Sequence, residues 1–166
     1  MKKLFFVALF FTTLLFSSQN VFAEIKNDHS VSTNELVLLA KESPYCEVEI
    51  EEDSFTIYIS DSEVIEELKK QGYNVELTSN NKRAKRSTGV TKIEGKLSSG
   101  NFKVYLSKNM LNTLEKVGPK ALSFLLGGLA GFSASVIYDI ISADSGFTHG
   151  RVFVFKNYLY HYWYYQ

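Results

Sequence analysis

Few side chains in this chain of 166 residues stand at spacings that could do chemistry. Gly131-Phe132-Ser133-Ala134-Ser135 approaches a nucleophile elbow but lacks the final glycine, and it falls inside a predicted helix rather than at a strand-to-helix turn. Cys46 would need a histidine held against it to act as a nucleophile. The nearest in sequence, His29, sits in a polar segment without apolar periodicity, so Cys46 reads as a small half-buried residue or an intermolecular pairing site. His149 and His161 flank a predicted strand as two lone histidines, which fits structural roles. The chain has no glycine-rich phosphate loop, no H-E-x-x-H and no paired cysteines. Its many N-terminal carboxylates lack the spacing of a calcium loop and alternate along strands, as on a solvated face. The expectation is a protein that is not an enzyme, with no catalytic residues, no cofactor and no metal.

The elements that would position a site are readable from periodicity. Ser32-Thr33-Asn34-Glu35 is a capping box opening a helix over 33–42, which Pro44 closes off. Glu47-Val48-Glu49-Ile50-Glu51 and Phe55-Thr56-Ile57-Tyr58-Ile59 alternate as two strands around a turn at 52–54. Ser60-Asp61-Ser62-Glu63 opens a second helix that Gly72 ends, and Tyr73-Asn74-Val75-Glu76-Leu77 alternates as another strand. Further on, 101–106 is a strand, and Ser107 caps a helix over 108–117 that ends at Gly118. The predicted class is therefore α+β. An acidic α-β-β-α-β domain over 24–79 precedes a β-α-α-β unit over 90–166 with a central hydrophobic helix.

The zero net charge hides a separation. Residues 24–79 hold 14 acidic and 4 basic residues, a balance of −10, whereas 80–166 hold 4 acidic and 12 basic, a balance of +8. The sign changes at Asn80-Asn81-Lys82-Arg83-Ala84-Lys85-Arg86-Ser87-Thr88-Gly89, which is polar, basic and without apolar periodicity, as in an exposed linker. Such linkers attract proteases, and a trypsin-like cut between Arg86 and Ser87, after Lys85-Arg86, is the expected event. A solvated loop that is never cut is the alternative.

Residues 121–141 carry a single charge, Asp139, and as one helix would extend ~31 Å, about a bilayer's hydrocarbon thickness. Gly127 and Gly131 form a G-x-x-x-G pair that, with Gly128, would let helices pack closely in lipid. In water each glycine costs roughly 1 kcal/mol against alanine, which calls for a compensating use. The readings are a helix buried in the folded protein and able to insert, a permanent anchor, and an ordinary buried helix. The final segment, 150–166, holds eight aromatic residues and turns near Lys156-Asn157. Tyr158, Tyr160, Tyr162, Trp163 and Tyr164 are of the types that favour membrane interfaces, and an exposed aromatic edge would favour self-association.

Lys2 and Lys3, the apolar run over 4–16 and Val21-Phe22-Ala23 before Glu24 form a secretory signal peptide, cut between Ala23 and Glu24. One cysteine in an exported chain fits a bacterial product. The arrangement of export signal, acidic pro-region, basic junction and cationic hydrophobic C-terminal peptide resembles secreted bacteriocin precursors of Gram-positive bacteria. It departs from pediocin-like members in lacking Y-G-N-G-V and paired cysteines. The resemblance implies a secreted, non-enzymatic antimicrobial or toxin-like precursor that a protease activates near Arg86. Its partners would be an anionic membrane or cell envelope of target cells, an immunity protein or further copies of itself. Basic and aromatic residues can also bind nucleic acid, but an export signal argues against that partner. The alternative is an uncleaved secreted or cell-surface interaction protein, held at the membrane by 121–141.

Overall fold

The structure, a computed structural model, describes residues 32–75, 89–118, 122 and 132–166. The processing sites Ala23/Glu24 and Lys85, Arg86 and Ser87 lie outside the described residues, as do Gly127, Gly128 and Gly131. The chain forms α1 (Thr33–Glu42), β1 (Cys46–Glu51), β2 (Ser54–Ile59), α2 (Asp61–Lys70), β3 (Lys92–Lys96), β4 (Phe102–Leu106), α3 (Lys108–Val117), α4 (Phe132–Ser142), β5 (Arg151–Lys156) and β6 (Leu159–Tyr165). The class is α+β, as the periodicity predicts. All six strands join one antiparallel sheet in chain order, β1 to β6.

Caps set the helix boundaries. The Ser32 hydroxyl accepts from the Glu35 N–H at 3.2 Å and starts α1, and the Ser107 hydroxyl accepts from the Met110 N–H at 3.0 Å and starts α3. Gly118, at φ +89°, ends α3 in the left-handed region that a Cβ disfavours. The second capping box needs correction. Ser60 makes no side-chain cap to α2, because its hydroxyl is paired with that of Ser62 at 3.1 Å. The alternating segment from Tyr73 is also corrected: 73–75 is not strand, and Val75 is buried in the core.

One face of the sheet carries Phe55, Ile57, Ile59, Ile93, Phe102, Val104, Leu106, Phe153 and Phe155. The apolar sides of the helices bury against it: Leu36 and Val37 of α1, Val64, Ile65 and Leu68 of α2, Met110, Leu111 and Leu114 of α3, Ile137 and Ile141 of α4. The acidic and basic segments share this core and this sheet, since β2 pairs β3 over five residues from Ser54↔Lys96 to Tyr58↔Lys92. The charge boundary at 80–89 therefore does not coincide with a break between folded units.

Polar contacts also cross that boundary. The Thr33 hydroxyl donates to the Leu97 carbonyl at 2.9 Å, and Asp53 accepts from the Ser98 N–H at 2.8 Å and hydroxyl at 2.6 Å. The Ser107 hydroxyl donates to Asp61, whose other carboxylate oxygen is buried without a partner. Burial pushes the Asp61 carboxyl above its usual value of 3.8, and the Ser107 hydrogen bond only partly offsets this. Because the folded-state value is raised, the folded protein holds this proton more tightly than the unfolded chain. The stabilising contribution is complete below pH 3.8 and is lost as pH rises through the raised value. Asp61→Asn should thus gain more stability relative to wild type at pH 7 than at pH 3, as checked by urea titrations at both pH values.

Only part of 121–141 is described, and there the helical segment is Phe132–Ser142, with Ala134, Ile137 and Ile141 facing the core. Among the described residues no helix is long and apolar enough to cross a membrane.

Candidate functional site on the open sheet face

The helices cover one face of the sheet, and the register determines what the other face presents. Side chains alternate across a strand, so three rows run across all six strands. The first is Glu47, Tyr58, Lys92, Tyr105, Val152 and Tyr164; the second is Glu49, Thr56, Glu94, Lys103, Val154 and Tyr162. The third starts Glu51, Ser54 and Lys96 and ends Lys156 and Leu159, with Asn101 between them at the entry to β4. Along the sheet, the face changes from a carboxylate column on β1, through paired charges on β3 and β4, to buried valines on β5 and exposed tyrosines on β6.

Glu94 is the hub of the middle columns. Lys92 Nζ donates to it at 2.7 Å, Lys103 Nζ at 3.4 Å and the Tyr105 hydroxyl at 2.5 Å. Partial burial pushes its carboxyl up, but the hydrogen bonds from Lys92 and Tyr105 and the Lys92 charge outweigh this, and it sits below the usual carboxylate range. Burial raises the Tyr105 phenol, and its bond to Glu94 raises it further, so it stays a protonated donor. Lys92 also lies 4.6 Å over the Tyr105 ring. Lys92 balances the Glu94 charge, so Lys103, though paired with the same carboxylate, adds to the positive excess of Lys96 and Lys156.

Those lysines line a groove of about 490 Å³ at the end of the sheet where the turns gather. Lys96, Lys103 and Lys156 come from three strands, Ser54, Thr56 and Asn101 supply neutral polar groups, and Val154 lies between them. Lys96 and Lys156 are exposed, and neither has an ion pair among the described residues. The turns at this end hold the lysines in place. Asp53 binds Ser98 as described, the Asn157 N–H donates to the Asn101 side chain at 3.0 Å, and the Tyr158 N–H donates to the Gly100 carbonyl at 2.8 Å. A Cβ on Gly100 would come within 2.3 Å of the Tyr158 ring, so only glycine lets this turn approach so closely. The arrangement can bind an anion over an extended surface. It holds no nucleophile aligned with a base.

The sequence-predicted aromatic residues divide. Tyr162 and Tyr164 stand exposed on the open face with ring centroids 6.2 Å apart. Tyr158 turns inward, tilted against Phe102 at 6.2 Å, and its hydroxyl accepts from the Thr33 N–H at 3.3 Å. Tyr160 meets Phe155 edge-on at 5.8 Å, on the helix-covered face. A β-bulge near Val154/Phe155 takes up His161 as the extra residue, which puts Tyr160 and Tyr162 on opposite faces. Trp163 is half-buried, and the Arg151 guanidinium lies 4.0 Å from its ring centroid.

The other chemical candidates stay apart. Cys46 is half-buried, and burial raises its thiol, which keeps it in the neutral, poorly nucleophilic form. His149 bonds the Thr148 hydroxyl at 3.0 Å, while His161 is exposed on β6. Ser133 and Ser135 fall within α4. Among the described residues no three His, Cys, Asp or Glu side chains are grouped to hold a metal ion. Sequence reasoning passed over Lys96, Lys103 and Lys156, whose only signal was the excess of base beyond residue 80. It also passed over Gln166, whose side chain accepts from the Val90 N–H at 2.8 Å and donates to the Leu106 carbonyl at 2.9 Å. Comparison with protein-family models, with curated proteins and with solved structures returns no match to this chain.

Proposed function

We propose that this protein is an exported, non-enzymatic interaction protein that engages an anionic cell-envelope surface as one folded body, through the groove lined by Lys96, Lys103 and Lys156. The carrying observation is that groove: three cationic side chains from neighbouring strands surround a shallow concavity whose one lining carboxylate, Glu94, is balanced by Lys92 behind it. Charge focused in a concave surface draws anions more strongly than the same charge spread evenly. This reading keeps the envelope partner expected of a bacteriocin-type precursor and departs from it on processing. Release of 87–166 as an inserting peptide would tear the β2–β3 ladder and divide the core, and the continuity of both supports action by the uncut chain.

The test is binding of residues 24–166 to phosphatidylglycerol-containing vesicles against neutral phosphatidylcholine vesicles. Each lysine near an anionic surface contributes about 1 kcal/mol. The combined Lys96→Gln, Lys103→Gln and Lys156→Gln variant should therefore bind about 100-fold more weakly, and wild-type binding should weaken as salt rises. Equal binding by the triple variant, or wild-type binding that ignores salt, would overturn the reading.

A further inference from the structure

The sheet has two edges, and they are guarded very differently. β1 places Glu47, Glu49 and Glu51 along its exposed face, one at every second residue. Charges at this spacing discourage a second strand from pairing, a common defence of sheet edges. β6 runs for seven residues, Leu159–Tyr165, without Asp, Glu, Lys, Arg or Pro. Leu159 is 61% exposed, Tyr162 52% and Tyr165 60%.

Among the described residues, no strand pairs with the outer backbone edge of β6. The Gln166 N–H donates to the Gly150 carbonyl at 2.9 Å. Antiparallel pairing alternates, so the backbone groups of Tyr164 and Tyr162 also face β5, whereas those of Trp163 and Tyr165 face away from it.

We infer that β6 is a homodimer interface, in which the β6 strands of two copies pair antiparallel and the two sheets join into one of twelve strands. A second copy is the occupant this edge fits. Pairing of β6 with β1 of the next molecule would be head-to-tail and open-ended, and it would set three carboxylates against an edge that offers no cation. Pairing of β6 with β6 meets no charge and closes on itself about a twofold axis. A ladder centred on Trp163 sets Tyr162 of one copy opposite Tyr164 of the other, an aromatic cross-strand pair repeated by the symmetry. The twofold axis of an antiparallel strand pair stands perpendicular to the sheet, so the open faces of both copies point the same way. The dimer then presents two lysine grooves to a single surface, although the pairing itself does not depend on what those grooves bind.

Sedimentation velocity on residues 24–166 tests this, from micromolar to millimolar protein. The wild type should pass from monomer to dimer and stop there. The Tyr162→Lys, Tyr164→Lys double variant places like charges opposite each other and should weaken the dimer by about tenfold or more with its melting transition retained. Tyr165→Pro removes an outward-facing N–H and should weaken the dimer without breaking a bond to β5. A wild type that stays monomeric throughout, one that grows past the dimer, or a dimer of unchanged affinity in the double variant would each overturn the proposal.

Discussion

A polypeptide of residues 87–166 alone should show no cooperative melting transition, whereas residues 24–166 should unfold in one step. The fragment lacks Leu36, Val37, Phe55, Ile57, Ile59, Val64, Ile65 and Leu68, all buried in the shared core. At roughly 2 kcal/mol for each large side chain removed from water, that loss exceeds the whole net stability of a typical domain, ~5–15 kcal/mol. It also leaves β3 as a bare edge, with Ile93 uncovered on its inner face. Circular dichroism melts of the two polypeptides provide the check. A sharp transition in the fragment would show that the basic half is a folding unit, and the precursor reading would regain its main support.

Arg151→Ala should destabilise the protein by about 3 kcal/mol, a large effect for a basic residue outside the groove. Arg151 is only 3% exposed and lies on the helix-covered face, between Leu106 and Tyr165 in the register. Its guanidinium is 4.6 Å from the Phe147 ring centroid and 4.0 Å from that of Trp163. It pairs with Asp144, and its Nε is buried without an acceptor. The hydrogen bond from Arg151 holds the Asp144 carboxyl below its usual range, with help from the Ser145 N–H. Truncation to alanine removes two cation–π contacts and opens a cavity beneath the segment between α4 and β5. Urea unfolding followed by the fluorescence of Trp163, the chain's one tryptophan, measures the loss directly. A midpoint unchanged from wild type would mean that the stacked guanidinium contributes nothing net.

The sequence was most legible where local rules decide. The capping serines Ser32 and Ser107 and the stop at Gly118 place α1 and α3 at their observed bounds, because a helix end is decided within a few residues. The turn near Lys156-Asn157 is also local: Asn157 and Tyr158 both have positive φ, as a two-residue hairpin turn requires. β3 escaped notice because Ile93 is its only large apolar residue and Gly95 interrupts the alternation. The reason for Gly95 lies in its neighbours. A Cβ there would come within 2.8 Å of Phe102 Cβ and 3.0 Å of the Phe55 ring, residues distant in sequence. The groove was hidden for a related reason, since Lys96, Lys103 and Lys156 share no local spacing and converge only through strand pairing. The run of five buried residues Arg151–Phe155 was legible as strand, but not that Val152 and Val154 are buried on the open face.

The sheet order has a kinetic consequence. Each strand lies beside its predecessor and successor in the chain, so no strand must slot between two that are already paired. The sheet can grow by accretion from the β1–β2 hairpin, each addition finding a ready template. The slow search that burdens sheets joining remote segments is reduced to one helical excursion before β3 and another before β5.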